Sequence, residues 1–194
     1  MAGGAQAVTL NVIGGQLMGA SNVLVDGSLY DVQFLDGSCI VLYNGCAHDS
    51  SDFTFQTEAS ALLASQALLD QVFLDGVQGQ FDSEPDQTNG CTNLSLCAAF
   101  TPFAVSLFAG GGFFPFGVVV LAGAANRPPF IGPDYLSPDD EDIQFNPDPA
   151  YDLANEEDFV YAVWSLPVPE PSTALLLGLG LTGLAAKGRR RNRS

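Results

Sequence analysis

The sequence predicts an α+β fold that is mostly β: an antiparallel sheet or sandwich with one amphipathic helix packed on it, plus a C-terminal hydrophobic helix. Three observations predict it. Apolar residues alternate with period two from Asn11 to Tyr43, the spacing turns helical from Glu58 to Phe73, and an uncharged run rich in Leu, Ala and Gly fills Ala174 to Ala186. A chain of 194 residues, 47% hydrophobic and 14% charged, carries enough apolar side chain to bury one core of ordinary domain size.

Ala5-Gln6-Ala7 has the small-x-small form of a signal-peptidase site, so residues 1–7 are expected to be the remnant of a truncated leader. The strand region that follows is punctuated by Asp26-Gly27 and Asp36-Gly37, dipeptides that supply the positive φ of a tight hairpin. Tyr30, Val32 and Phe34 then share one face, and Asp31 and Gln33 the other, which predicts a meander with one buried face. From Glu58 to Phe73 the positions Ala59, Leu62, Leu63, Gln66, Leu69 and Phe73 recur at helical spacing. Thr57 is placed as N-cap, Glu58 complements the positive dipole end, and Asp75-Gly76 is the expected stop.

Past a polar loop from Asp82 to Gly90, apolar stretches return at Ala98 to Phe108 and at Phe113 to Ala122. The uncharged run from Phe103 to Ala125 is long enough to cross a membrane, but Gly110-Gly111-Gly112 and Pro115 interrupt a helix and Val118-Val119-Val120 favours strands. Two buried strands joined by a glycine loop are expected. Arg127 to Pro149 carries six prolines and reads as a long surface loop, and Phe159 to Trp164 as a last strand.

Charge is distributed unevenly. The net charge is −16, from 22 acidic and 6 basic residues. All but one of the acids lie before Pro169, where Arg127 is the sole base. Such a surface repels a phosphate backbone, which excludes nucleic acid as a partner. The acidic run Asp139-Asp140-Glu141-Asp142 invites calcium, a hard cation, but it lacks the alternating ligands, central Gly and terminal Glu of a calcium loop. A solvated loop is the preferred reading, with no cofactor.

Cys39, Cys46, Cys91 and Cys97 form an even set of locally spaced pairs. Four cysteines allow three connectivities, and short loops favour Cys39 with Cys46 and Cys91 with Cys97. The rival reading is zinc held by Cys39, Cys46 and His48, against which stands the absence of C-x2-C spacing. His48, Asp49, Ser50 and Ser51 supply the letters of a nucleophilic triad, but neighbours along one turn do not converge, and no G-x-S-x-G elbow is present. Carboxylate pairs are too abundant in an acidic chain to single one out. No catalytic constellation is visible, and a non-enzyme is expected. Asn93-Leu94-Ser95 matches a glycosylation acceptor, with a turn beside Cys91 as the plainer reading.

The C-terminus divides into three parts. Val168-Pro169-Glu170-Pro171 blocks helix and strand alike, so residues 167–173 read as a stiff spacer that exposes Glu170. Residues 174–186 follow, thirteen apolar or small residues where a spanning helix prefers roughly 20. Residues 187–194 close the chain with Lys187, Arg189, Arg190, Arg191 and Arg193, which hold that end in the cytoplasm and leave residues 8–166 outside it. Gly178-Leu179-Gly180-Leu181-Thr182-Gly183 matches the dinucleotide-binding pattern by letter alone, with no strand before it and no acidic residue after it.

This arrangement resembles the PEP-CTERM sorting signal, a Pro-Glu-Pro motif, short hydrophobic helix and terminal arginine cluster of bacteria that make exopolysaccharide. The resemblance implies recognition by exosortase, a membrane-embedded protease or transpeptidase, which cuts near Pro169-Glu170-Pro171. It also implies transient anchoring in the membrane through the C-terminal helix, then a place in the envelope or outside the cell. The body is expected to be a structural or adhesive component of exopolysaccharide or biofilm, with a secreted hydrolase of matrix polysaccharide as the alternative.

Overall fold

The computed structural model describes residues 7–43, 46, 51, 53–108, 116–137 and 148–167. Its first three strands, β1 (Thr9–Ile13), β2 (Gln16–Val25) and β3 (Ser28–Leu35), form the expected meander. Two tight turns make it. Asp26 and Gly27 take φ of 46° and 79°, as anticipated, and Gly14 and Gly15 take 61° and 90° at a turn that periodicity did not single out. A bulge at Asn22 (φ 61°) shifts the β2–β3 register, and its N–H donates to Asp31 Oδ1 at 3.1 Å.

Asp36-Gly37 does not turn a hairpin. There the chain leaves the sheet: Gly37 O accepts from the Leu153 N–H, and a single helical turn, α1 (Cys39–Leu42), follows. The physical reason is the Cys39–Cys46 closure, whose Cα atoms stand 5.8 Å apart over seven positions and need a chain folded back on itself.

α2 (Glu58–Gln71) is the expected helix, and Thr57 caps it by accepting from the Ser60 N–H at 3.2 Å. The buried stripe, however, is Ala61, Ala64, Ser65 and Leu68, while Ala59 and Leu63 are exposed and Leu62, Gln66 and Leu69 are half-buried. Small side chains let the helix axis approach the sheet, and the leucines flank that contact instead of forming it. Ser65 Oγ donates to Ala122 O at 3.3 Å on the sheet below. The helix stops at Gln71, ahead of the expected signal. Val72 and Phe73 pack inward, and Asp75-Gly76 becomes β4 of a small hairpin with β5 (Gly79–Gln80).

The uncharged stretch folds as two paired strands, β6 (Cys97–Phe108) and β7 (Phe116–Asn126), longer than the apolar runs suggested. Among the described residues no helix is long and apolar enough to cross a membrane. Within the expected loop from Arg127 to Pro149 lies a short strand, β8 (Tyr135–Ser137). β9 (Phe159–Ser165) is the predicted last strand.

The sheet has seven strands in the order β1-β2-β3-β9-β6-β7-β8. It is mixed, not antiparallel, because β9 enters between β3 and β6 and runs parallel to β6. It is also a single layer and not a sandwich, since α2 covers one face and irregular chain covers the other. One core holds Val32, Phe34, Leu68, Phe73, Phe81, Val160 and Trp164, and the other holds Tyr43, Phe53, Phe100, Leu153 and Tyr161. Alternate residues of β9 feed both.

Candidate functional site

The sorting residues Val168, Pro169, Glu170 and Pro171, the helix 174–186 and the basic residues Lys187, Arg189, Arg190, Arg191 and Arg193 lie outside the described residues. Their root does not. β9 is the fourth of seven strands, its last residue Ser165 pairs with Asp31, and only Leu166, 69% exposed, and Pro167 follow before the spacer.

That root is fixed from several sides. Trp164 Nε1–H donates to Thr101 Oγ1 at 3.0 Å, and Thr54 Oγ1–H donates to Trp164 O at 2.6 Å. Phe55 meets the Trp164 ring edge-on at 5.5 Å and Tyr30 at 5.0 Å. A hollow of about 360 Å³ lined by Asp26, Tyr30, Thr54, Phe55 and Gln56 opens beside this cluster. A pull on the tail therefore meets a buried indole, two side-chain hydrogen bonds and the ladders of the central strand.

All four cysteines are buried and joined as Cys39–Cys46 and Cys91–Cys97. This overturns the zinc reading, because both thiols it needed are oxidised. His48, Asp49 and Ser50 lie outside the described residues, as does the acidic run 139–142, and Ser51 is exposed. Among the described residues no three His, Cys, Asp or Glu side chains gather as metal ligands would. Ser95 N–H donates to Asn93 Oδ1 at 2.7 Å, so Asn93-Leu94-Ser95 is the turn beside Cys91.

Sequence reasoning missed a polar groove of about 690 Å³ at the opposite end of the sheet from the tail root. Asp36, Asp86, Asn89, Glu156 and Glu157 line it, from three segments distant in the chain. Burial, aided by the charge of Asp152, pushes the Asp36 carboxyl above the usual carboxylate range. Asn89 Nδ2–H donates to Phe34 O at 2.7 Å and holds the groove wall to β3. The one sequence signal was Asp36-Gly37, a strand terminus, and it says nothing of what gathers there.

No curated protein and no solved structure matches the chain. Residues 167–191 match the family model of the PEP-CTERM protein-sorting motif. The chain therefore carries a PEP-CTERM sorting signal, which indicates export, transient membrane anchoring, processing by exosortase, and a final place in the cell envelope or outside.

Proposed function

We propose that residues 8–166 are a non-enzymatic, exported domain, released from residues 167–194 by cleavage near Pro169-Glu170-Pro171, that serves as a structural or adhesive component of exopolysaccharide or biofilm. One observation supports this above the others. β9 is the central strand, and it ends two residues before the matched motif, so a cut in the spacer removes no strand from the sheet. The acidic surface keeps the released domain soluble among polymers, and the paired cysteines suit an oxidising compartment. No cofactor enters this reading.

The test is Glu170→Ala in the producing cell. The reading expects the variant to stay in the membrane fraction at the mass of the unprocessed tail, while the parent is released. Unchanged release of E170A at the parent's mass would refute it.

The groove favours a second reading, a secreted hydrolase of matrix polysaccharide. A carboxyl held protonated above its ordinary range is what a general acid needs, and Asp36 is such a group among other carboxylates. Release of reducing sugar from the producer's own polysaccharide, lost in Asp36→Asn, would support this reading over the first.

A further inference from the structure

We propose that the projecting end of the β6–β7 ribbon rests on the lipid bilayer that holds the tail, so that the body sits with its tail end against the membrane while it awaits cleavage. The inference goes beyond release and takes from that reading only that the tail is anchored.

Register places the two features together. β6 and β9 run parallel, with Phe100 opposite Tyr161, so their C-terminal ends point the same way. β9 continues four residues to Ser165, whereas β6 continues eight, to Phe108, with a bulge between Pro102 and Ala104. Allowing for the bulge, the ribbon passes the level of Ser165 by about three residues, or about 10 Å. β9 pairs with β6 only as far as Phe100, and β8 pairs with β7 only at Gly123–Ala125. Among the described residues, 104–108 and 116–120 therefore have no strand partner except each other.

Charge points the same way. The chain holds 22 acidic residues, yet no charged residue occurs from Cys97 to Asn126. An anionic leaflet repels the rest of the body and leaves this ribbon as the part that approaches it without penalty. Its strands are rich in Phe, Leu and Val, residues that gain by entering the boundary between headgroups and acyl chains. The leash is short: residues 166–173 span at most about 28 Å fully extended. The bilayer that receives residue 174 is thus within reach of the ribbon at the same end of the sheet.

The test uses the full chain in vesicles of phosphatidylethanolamine and phosphatidylglycerol, with or without brominated acyl chains. Phe116→Trp reports the ribbon, Ile13→Trp the opposite end of the sheet, and Leu177→Trp the tail, with the parent, whose Trp164 is buried, as blank. The expected result is about a twofold loss of emission in brominated vesicles for F116W and L177W, and none for I13W. Quenching of L177W without F116W would overturn this proposal and leave anchoring intact, and no quenching of either would overturn both. Quenching of F116W alone would keep the ribbon on the bilayer and overturn anchoring. A concentration-dependent blue shift of F116W that ignores lipid would assign the ribbon to a second copy instead. If F116W loses its circular dichroism, Leu107→Trp takes its place under the same outcomes.

Discussion

The two faces of the sheet are buried by different means. Under α2, a regular helix lays Ala61, Ala64, Ser65 and Leu68 against the strands, and its hydrogen bonds are satisfied within itself. On the other face the cover is α1, Cys46, Phe53 and Leu153, pieces of chain too short to hold a helix by their own cooperativity. The Cys39–Cys46 disulfide lies on that second face. A covalent closure there does what length does for α2, which is a solution open to a chain that folds outside the reducing cytoplasm. The second disulfide, on the helix side, ties the end of the polar loop to the first residue of β6.

The comparison breaks first at β9, which feeds both cores. Trp164→Ala removes the ring that Phe55 and Tyr30 pack on and strands Thr101 Oγ1 without its donor, so chemical denaturation is expected to show a loss of about 3–5 kcal/mol. A loss below 1 kcal/mol would mean that β9 does not knit the two cores.

Next comes Cys39→Ala with Cys46→Ala. Loop-closure entropy over this short span puts the cost at about 2–3 kcal/mol. Hydrogen exchange sharpens the point: amides of α1 and around Phe53 are expected to open faster, and those of α2 to keep their protection. Equal acceleration in α2 would show that the faces do not differ in how they are held.

Tyr161→Phe moves stability the other way. The Tyr161 hydroxyl is buried with no partner among the described residues, and burial pushes its proton affinity up. Removing it is expected to raise stability by about 1 kcal/mol in the same denaturation experiment. Tyr43→Phe, whose hydroxyl donates to Ala162 O at 3.3 Å, is expected to lower it.

The smallest effect is with pH, and it belongs to the rim and not to either core. Asp36, Asp82 and Asp134 are raised above the ordinary carboxylate value, in each case mainly by burial; Asp152 adds to the first, and Asp134 and Asp75 to the second. A raised carboxyl favours the fold below its unfolded value, and that contribution is lost as pH rises through the folded one. Asp75 opposes them: burial raises it, but hydrogen bonds from the Ser83 side chain and from the Ser83 and Asp82 N–H groups carry it below the usual range. Three groups outweigh one, so the melting midpoint is expected to fall as pH climbs from just above the ordinary carboxylate range towards neutrality. Asp36→Asn is expected to flatten that slope, and an unchanged slope would remove Asp36 from the account.

Local signals in the sequence were read correctly where the physics is local. The Asp26-Gly27 turn, the alternation of Tyr30, Val32 and Phe34, the Thr57 cap and the cysteine pairs depend on residues a few positions apart. The α2 face was misread because hydrophobicity weights Leu above Ala, whereas close approach to a sheet rewards the smaller side chain. The place of β9 was not legible at all: inserting the last strand between β3 and β6 is a non-local pairing, and period two is the same at an edge as at the centre. The groove failed for the same reason, since Asp36, Asn89 and Glu156 become neighbours only once β9 is in place.

The central claim is a body outside the cytoplasm, closed by two disulfides and cut in the spacer after β9. Intact-mass spectrometry of the protein recovered from outside the cells tests it most directly. The account predicts a C-terminus within 167–173 and a mass four hydrogens below that of the free-thiol chain. A product found only inside the cell, still ending in Arg189-Arg190-Arg191 and beyond, with all four cysteines open to alkylation, would contradict it.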